Sequence, residues 1–293
     1  MTTKEYESYY VPSQSHWPIV GAVALFMIAF GAASYVTDIK NQTSGFGGYL
    51  LLAGIALVIY MVVGWFSNVI NESMAGKYSH QMDNSFRQGM SWFIFSEVMF
   101  FAGFFGALFY ARSLSVPWLG GEGTGLSTNA ELWNGYEGVW PTNGPGNLGG
   151  KFEILDPFHL PLINTMLLLT SSVTVTIAHH AIRANNRAQT VIWLAATVLL
   201  GAVFMYFQVT EYIEAYHLDL TLESGIYGAT FFMLTGFHGM HVTLGTIMLA
   251  IITIRVAKGH FKPENHFGFE AVAWYWHFVD VVWLGLFIFV YIL

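Results

Sequence analysis

Seven apolar runs, each long enough to cross a bilayer, are fenced off from one another by the sparse charges of this chain. They cover residues 17–36, 48–70, 89–113, 158–182, 188–210, 224–254 and 269–293. About 20 predominantly apolar helical residues span a hydrocarbon core, where helices satisfy every backbone polar group within the segment. The expected fold class is therefore all-α, a polytopic membrane protein with seven transmembrane helices. The 293 residues could hold two soluble domains, but a 55% hydrophobic, 10% charged composition places them in the membrane class. A net charge of -7 then says little about soluble partners, and no nucleic-acid partner is expected. The absence of cysteine excludes disulfides, iron–sulfur clusters and thiolate metal sites.

The polar segment 71–88 divides a two-helix unit, residues 1–70, from a five-helix bundle, residues 89–293, and is expected to be a cytoplasmic linker. Lysine and arginine set the orientation. With the N-terminus inside, the inner segments hold Lys4, Lys77, Arg87, Arg183, Arg187, Arg255, Lys258 and Lys262, against Lys40, Arg112 and Lys151 outside. That bias predicts a cytoplasmic N-terminus and an outer C-terminus. Outer segments are acidic, with Glu211, Glu214, Asp219 and Glu223 following the fifth helix, so that only Glu97 and Asp280 are expected inside the membrane. The outer loop 114–155 is rich in glycine (GGEGTG, TNGPGNLGG) and carries Trp118, Trp133, Tyr136 and Trp140, which predicts a turn-rich excursion. The N-terminal stretch MTTKEYESYY lacks the basic region of a signal peptide, so the first helix is expected to be retained.

Glu97 is the most informative single residue. In GMSWFIFSEVMFFAGFFGALFYARS it is the only charged side chain between Arg87 and Arg112, among Phe93, Phe95, Phe100, Phe101, Phe104 and Phe105. A lone carboxylate is costly in hydrocarbon, so it is expected to give up its charge or to meet a polar group on another helix. His238 or His241 of the sixth helix is the expected partner. The same contact could serve packing alone. Gly225, Gly228, Ala229, Gly236, Gly239 and Gly245 would bring that helix close to its neighbours. In the last helix His277 and Asp280, at i,i+3, are expected to satisfy each other.

A metal or haem role for the histidines fits the spacing poorly. Two haems in a helical bundle need axial histidines about 13 residues apart on each of two helices, which places both at different depths on one face. His238 and His241 are three apart, His179 and His180 adjacent, and His266 and His277 eleven apart with His266 near the surface. No metal site is expected. Trp65, Trp274, Tyr275, Trp276 and Trp283 suit interfacial belts, bulky packing or a groove for acyl chains. Arg255, Lys258, His260, Lys262 and His266 form a basic rim that suits anionic headgroups as well as ordinary positive-inside bias.

FIFSEVMFFAGFF around Glu97, PLINTMLLLTSSVTVTIAHH at 161–180, TEYIEA at 210–215, YGATFFMLTGFHGMHV at 227–242 and HFGFEAVAWYWHFVDVVWL at 266–284 closely resemble subunit III of cytochrome c oxidase. SHWP and VINES extend the resemblance to the first two helices. It implies an accessory subunit of an aa3-type haem-copper oxidase that binds no cofactor of its own, with haem a and copper held by partner subunits. The expected partners are subunit I mainly, subunit II and small accessory subunits, together with membrane lipids. In that family the first two helices splay from the other five, and the V-shaped cleft holds structural phospholipids. Glu97 matches the carboxylate beside those lipids and Arg255 a headgroup contact; Trp65 and His241 complete the expected lipid site. The family supports proton uptake into subunit I and protects the oxidase during turnover. The long outer loop points to a bacterial form in the inner membrane with a periplasmic C-terminus. The competing readings are a proton-coupled transporter using Glu97 and Asp280, disfavoured by the lack of an internal repeat, and the equivalent subunit of a quinol oxidase, which usually has five helices.

Overall fold

The structure, a computed structural model, describes residues 10–293; Lys4, used in the orientation argument, lies outside them. Among the described residues there are no strands beyond one isolated bridge, Lys262 to Asn265, and seven helices are long and apolar enough to cross a membrane. They are α1 (Trp17–Asn41), α2 (Gly47–Met74), α3 (His80–Leu119), α4 (Leu160–Arg183), α5 (Arg187–His217), α6 (Gly225–Ala257) and α7 (Phe267–Ile292). All seven expected helices are present. Most run past the boundaries that charge fences set. Asn71 to Met74 belong to α2 and His80 to Gln88 to α3, so the expected linker 71–88 shrinks to a turn around Gly76. Charged residues near a helix end do not stop a helix, because they can reach past the hydrocarbon or pair inside the bundle.

The chain divides into two compact units, one ending at Phe86 and the other running from Arg87 to Leu293. In the first, α1 and α2 pack as an antiparallel pair whose contact line is made of small residues. Ala24 and Gly31 lie seven apart on α1, as do Gly47 and Gly54 on α2, and all four are buried. A β-carbon at Gly31 would stand 2.5 Å from the backbone nitrogen of Leu51, and one at Gly54 would stand 2.9 Å from that of Ile28. With no hydrophobic drive between helices in lipid, close approach is what holds such a pair together. Gly31→Ala is therefore expected to lower the stability of this pair by about 1–3 kcal/mol, as overpacking generally does. Denaturation of the chain in mild detergent, followed by Trp17 fluorescence, measures it. The polar end of the unit is closed by Tyr78, which donates to Glu72 at 2.9 Å. Burial and the adjacent Glu72 carboxylate push the Tyr78 hydroxyl well above its ordinary range, so it remains a donor.

In the second unit α7 is the central helix. Trp276 and Trp283, each about one turn from its middle and on opposite sides of it, are fully buried. Trp276 donates to Ser171 of α4 at 2.9 Å and lies against Gly201 of α5 and Gly245 of α6. Trp283 donates to Thr165 of α4 at 2.9 Å and meets Phe204 of α5 edge-on, with centroids 4.9 Å apart. α4, α5 and α6 thus each meet an indole of α7, and both indole N–H groups are satisfied. These two tryptophans and Tyr275 belong to the core; Trp65 in α2 is half exposed. Of the glycines expected to bring α6 close to its neighbours, Gly245 does so. Gly236 and Gly239 have room for a β-carbon, and Gly225 with Gly228 serve the turn before the helix.

The outer loop begins later than expected, because α3 continues through a π-helical turn, Ala111–Ser115, to Leu119. Beyond it the chain forms a short helix, Leu126–Leu132, and turns with left-handed glycines such as Gly135 and Gly144. Two asparagines hold it together. Asn129 donates to the carbonyls of Leu119, Trp133 and Tyr136, and Asn143 to Asn147, Leu148 and Gly150. Phe152 stacks on Tyr227 and so ties the loop to α6.

Candidate functional site

α3 lies along α6 and α7 through Phe100, Phe101, Phe104 and Phe105, and most of its other large side chains face outward. Glu97 sits at the edge of that seam. Its carboxyl is 22% exposed and approaches Nε2 of His241 at 3.0 Å, while the His241 side chain is 6% exposed. The imidazole lies among Phe100, Phe101, Tyr275 and Phe278. Its other nitrogen, Nδ1, is 2.6 Å from the carbonyl of Phe237. A carbonyl only accepts, so Nδ1 carries a hydrogen. In a neutral ring Nε2 is then a bare acceptor and cannot donate to a carboxylate. The contact requires one more proton, held either on His241, giving an ion pair, or on Glu97, giving a neutral O–H to N bond. Both forms have zero net charge, which is what a hydrocarbon environment tolerates.

Sequence left the choice between two histidines open, and helix geometry decides it. Residues three apart on a helix are turned by about 60° from each other, so His238 and His241 face different neighbours. His238 is fully buried against Phe204 and Trp283 and contacts the Val279 carbonyl at 3.2 Å. It is a core histidine; His241 alone reaches Glu97.

The expected pair His277 and Asp280 is not hydrogen-bonded. Their closest atoms are 3.8 Å apart, because Nδ1 of His277 is taken by the Ser172 hydroxyl at 2.7 Å. The Asp280 carboxyl is buried, with Oδ2 at ion-pair distance from His277 and no well-formed hydrogen bond to either oxygen. Glu97 and Asp280 are also not the only acids within the spans. Glu211, expected in an outer segment, lies inside α5 and is fully buried, accepting from Tyr291 and, at 3.4 Å, from Gln208. The fence at Thr210 hid it, since a charge was read as the end of the helix.

Of the other expected lipid contacts, Arg255 lies in the last turn of α6 with its guanidinium 4.4 Å from the Phe261 ring centre and its Nε without a hydrogen-bond partner. Trp65 belongs to α2 in the other unit. The basic rim loses one member: Lys258 and Lys262 are exposed, but His266 is buried. At the same end of the bundle His266 and Glu270, at the start of α7, meet His179 from the end of α4. Arg87 of α3 pairs with the far oxygen of Glu270. This grouping was not foreseen; its sole sequence signal is the i,i+4 spacing of His266 and Glu270.

Comparison with known proteins then places the chain. The sequence profile described as cytochrome c oxidase subunit III matches residues 7–293. Cytochrome c oxidase subunit 3 of Marchantia polymorpha is 40% identical over 292 residues, covering 99% of this chain and 98% of the relative. The proteins of the same name from Prototheca wickerhamii and Oncorhynchus masou are each 40% identical, over 97% of this chain and 96% of their own lengths. A profile that runs almost end to end, and relatives 40% identical over nearly their whole length, establish that the chain belongs to the cytochrome c oxidase subunit III family.

Proposed function

We propose that this chain is a non-redox accessory subunit of an aa3-type cytochrome c oxidase, which binds structural phospholipids and supports proton uptake and turnover stability in the assembled complex. It packs chiefly against subunit I, with subunit II and small accessory subunits in the same complex, and those partners hold haem a and copper. The chain lies in a bacterial inner membrane with its N-terminus in the cytoplasm and its C-terminus outside.

The Glu97–His241 pair carries this reading. A single proton shared at the edge of an outward apolar seam gives a pair with no net charge, which can bond a lipid headgroup and shift that proton between carboxyl and imidazole while staying neutral in hydrocarbon. Arg255, with an unpartnered Nε at the end of α6, supplies a cation for a phosphate.

The test is Glu97→Gln in the assembled oxidase. Phospholipid retained after purification, the number of turnovers before inactivation, and the rate of proton uptake are measured beside the unaltered complex. A fall in lipid content together with a shorter turnover lifetime is the expected result. If all three quantities stay the same, the carboxyl serves packing only. Arg255→Gln is expected to lower retained phospholipid without changing turnover in lipid-replete membranes.

A further inference from the structure

The cluster at the junction of α4 and α7 has the shape of a metal site. Nε2 of His266 is 3.1 Å from Oε1 of Glu270, Nε2 of His179 is 3.5 Å from the same oxygen, and the two Nε2 atoms are 3.3 Å apart. These three atoms therefore form a nearly equilateral triangle. A tetrahedral ion with nitrogen and oxygen ligands at about 2.0–2.2 Å separates its ligand atoms by roughly 3.3–3.5 Å. The triangle is one face of that tetrahedron without any side chain having to move.

Hydrogen bonding independently makes the centre of the triangle a place for a cation. Nδ1 of His266 contacts the Lys262 carbonyl at 3.2 Å, so it carries the hydrogen and leaves Nε2 of the neutral ring as a lone pair. Oε1 of Glu270 is also an acceptor. Two acceptors 3.1 Å apart repel unless something positive lies between them, and among the three ligand atoms His179 Nε2 is the one left to carry a hydrogen. The supporting contacts are those that orient ligands in metal sites. The Lys262 carbonyl fixes the tautomer of His266, Arg87 holds the outer oxygen of Glu270 so that Oε1 turns inward, and Phe269 stacks on His179 at 5.6 Å.

The geometry points to a divalent transition-metal site of the zinc class, with His179, His266 and Glu270 as ligands and a fourth position open toward solvent. Two imidazoles and one carboxylate suit zinc and its neighbours; calcium and magnesium prefer all-oxygen sets. The fourth position would be open to a water on the His179 side, since His179 is 31% exposed while Glu270 and His266 are 13% and 7% exposed. The ion would tie the end of α4 to the start of α7, the helix on which the whole bundle packs. This departs from the expectation of no metal, which rested on spacing within single helices and could not see ligands from two.

The experiment uses the assembled oxidase, stripped with a chelator and then dialysed against graded Zn2+. The unaltered complex is expected to hold one tightly bound equivalent more than a complex carrying His179→Gln. Zinc-edge X-ray absorption of the unaltered complex, less that of the variant, should show two imidazoles and an oxygen at about 2.0 Å. His179 is partly exposed, so its replacement leaves assembly intact and lowers zinc affinity at this site by at least about 100-fold, above the 10–100-fold effect of a supporting group. Equal zinc content in the two complexes overturns the proposal. So does a zinc-edge spectrum of the unaltered complex, less that of the same complex stripped with chelator, that lacks imidazole scattering, which would make the cluster a proton-sharing network; this readout stands even where the His179→Gln variant fails to assemble.

Discussion

His241→Leu is expected to destabilise the five-helix unit by about 3 kcal/mol, whereas removing both members of the pair, as Glu97→Leu with His241→Leu, should cost little. The asymmetry follows from what each change leaves behind. Leucine at 241 strands the Glu97 carboxyl among phenylalanines with no partner, and breaking a buried pair from one side generally costs about 3–5 kcal/mol. The 22% exposure of Glu97 places the effect at the lower end of that range. Glu97→Gln is milder, near 1 kcal/mol, because the amide N–H donates to the bare Nε2 of His241 and keeps one hydrogen bond. A double-mutant cycle on the thermal unfolding of the detergent-solubilised complex measures the coupling, which should exceed about 2 kcal/mol. Additive losses would mean that the two side chains do not share a proton. Isotope-edited infrared spectra of the carboxyl band distinguish the ion pair from the neutral form, and Glu97→Gln removes that band in either case.

The same residues show how far the sequence could be read. Glu97 was legible because a charge in an apolar run is rare and expensive, so it stands out without any knowledge of the fold. Its partner was half legible: the sequence offered two histidines, and only the rotation of α6 against α3 and α7 separates them. Helix number was legible from charge-free runs, but helix ends were not. A charge limits how much apolar surface a segment has and does not limit its hydrogen-bonded turns, so α5 continues through Glu211, whose carboxyl finds Tyr291. The same error moved His80 to Gln88 into a linker. The pairing of His277 and Asp280 was legible only in part: the two stand within ion-pair distance, 3.8 Å, but not within a close hydrogen bond. The i,i+3 spacing places the two groups on one face, yet it cannot show that Ser172 of α4 competes for the imidazole. The His179, His266 and Glu270 cluster was invisible, because the two histidines lie 87 residues apart and α4 and α7 bring them together only in the folded bundle. What single-helix periodicity carries is the face of a residue; what it lacks is the identity of the residue opposite.

The second large effect belongs to the indole at the centre of the bundle. Trp276→Ala is expected to destabilise the chain by about 3–5 kcal/mol, in the range of large-to-small changes at fully buried aromatic sites. In water part of that loss is the transfer of apolar surface, a drive that lipid does not supply between helices, so here the loss comes from cavity and contacts. Those contacts are specific. Gly201 on α5 and Gly245 on α6 provide the space that the ring fills: a β-carbon at either would lie 2.8 Å from an indole carbon, and the N–H holds Ser171 on α4. Truncation therefore loosens three helices together and leaves Ser171 without its donor. Filling the space from the other side should fail as badly. Gly245→Leu cannot be accommodated by rotating the ring, because Gly201 closes the opposite face and Ser171 fixes its edge, and both variants should assemble poorly with partner subunits. Trp276→Phe separates the two contributions: it keeps most of the volume and loses the hydrogen bond, so its cost should be about 1–2 kcal/mol above the unaltered chain. Thermal unfolding of the three variants in one detergent tests this order; if Trp276→Phe proved as damaging as Trp276→Ala, the bond to Ser171 would outweigh packing, and α7 would owe its central position to its polar contacts with α4.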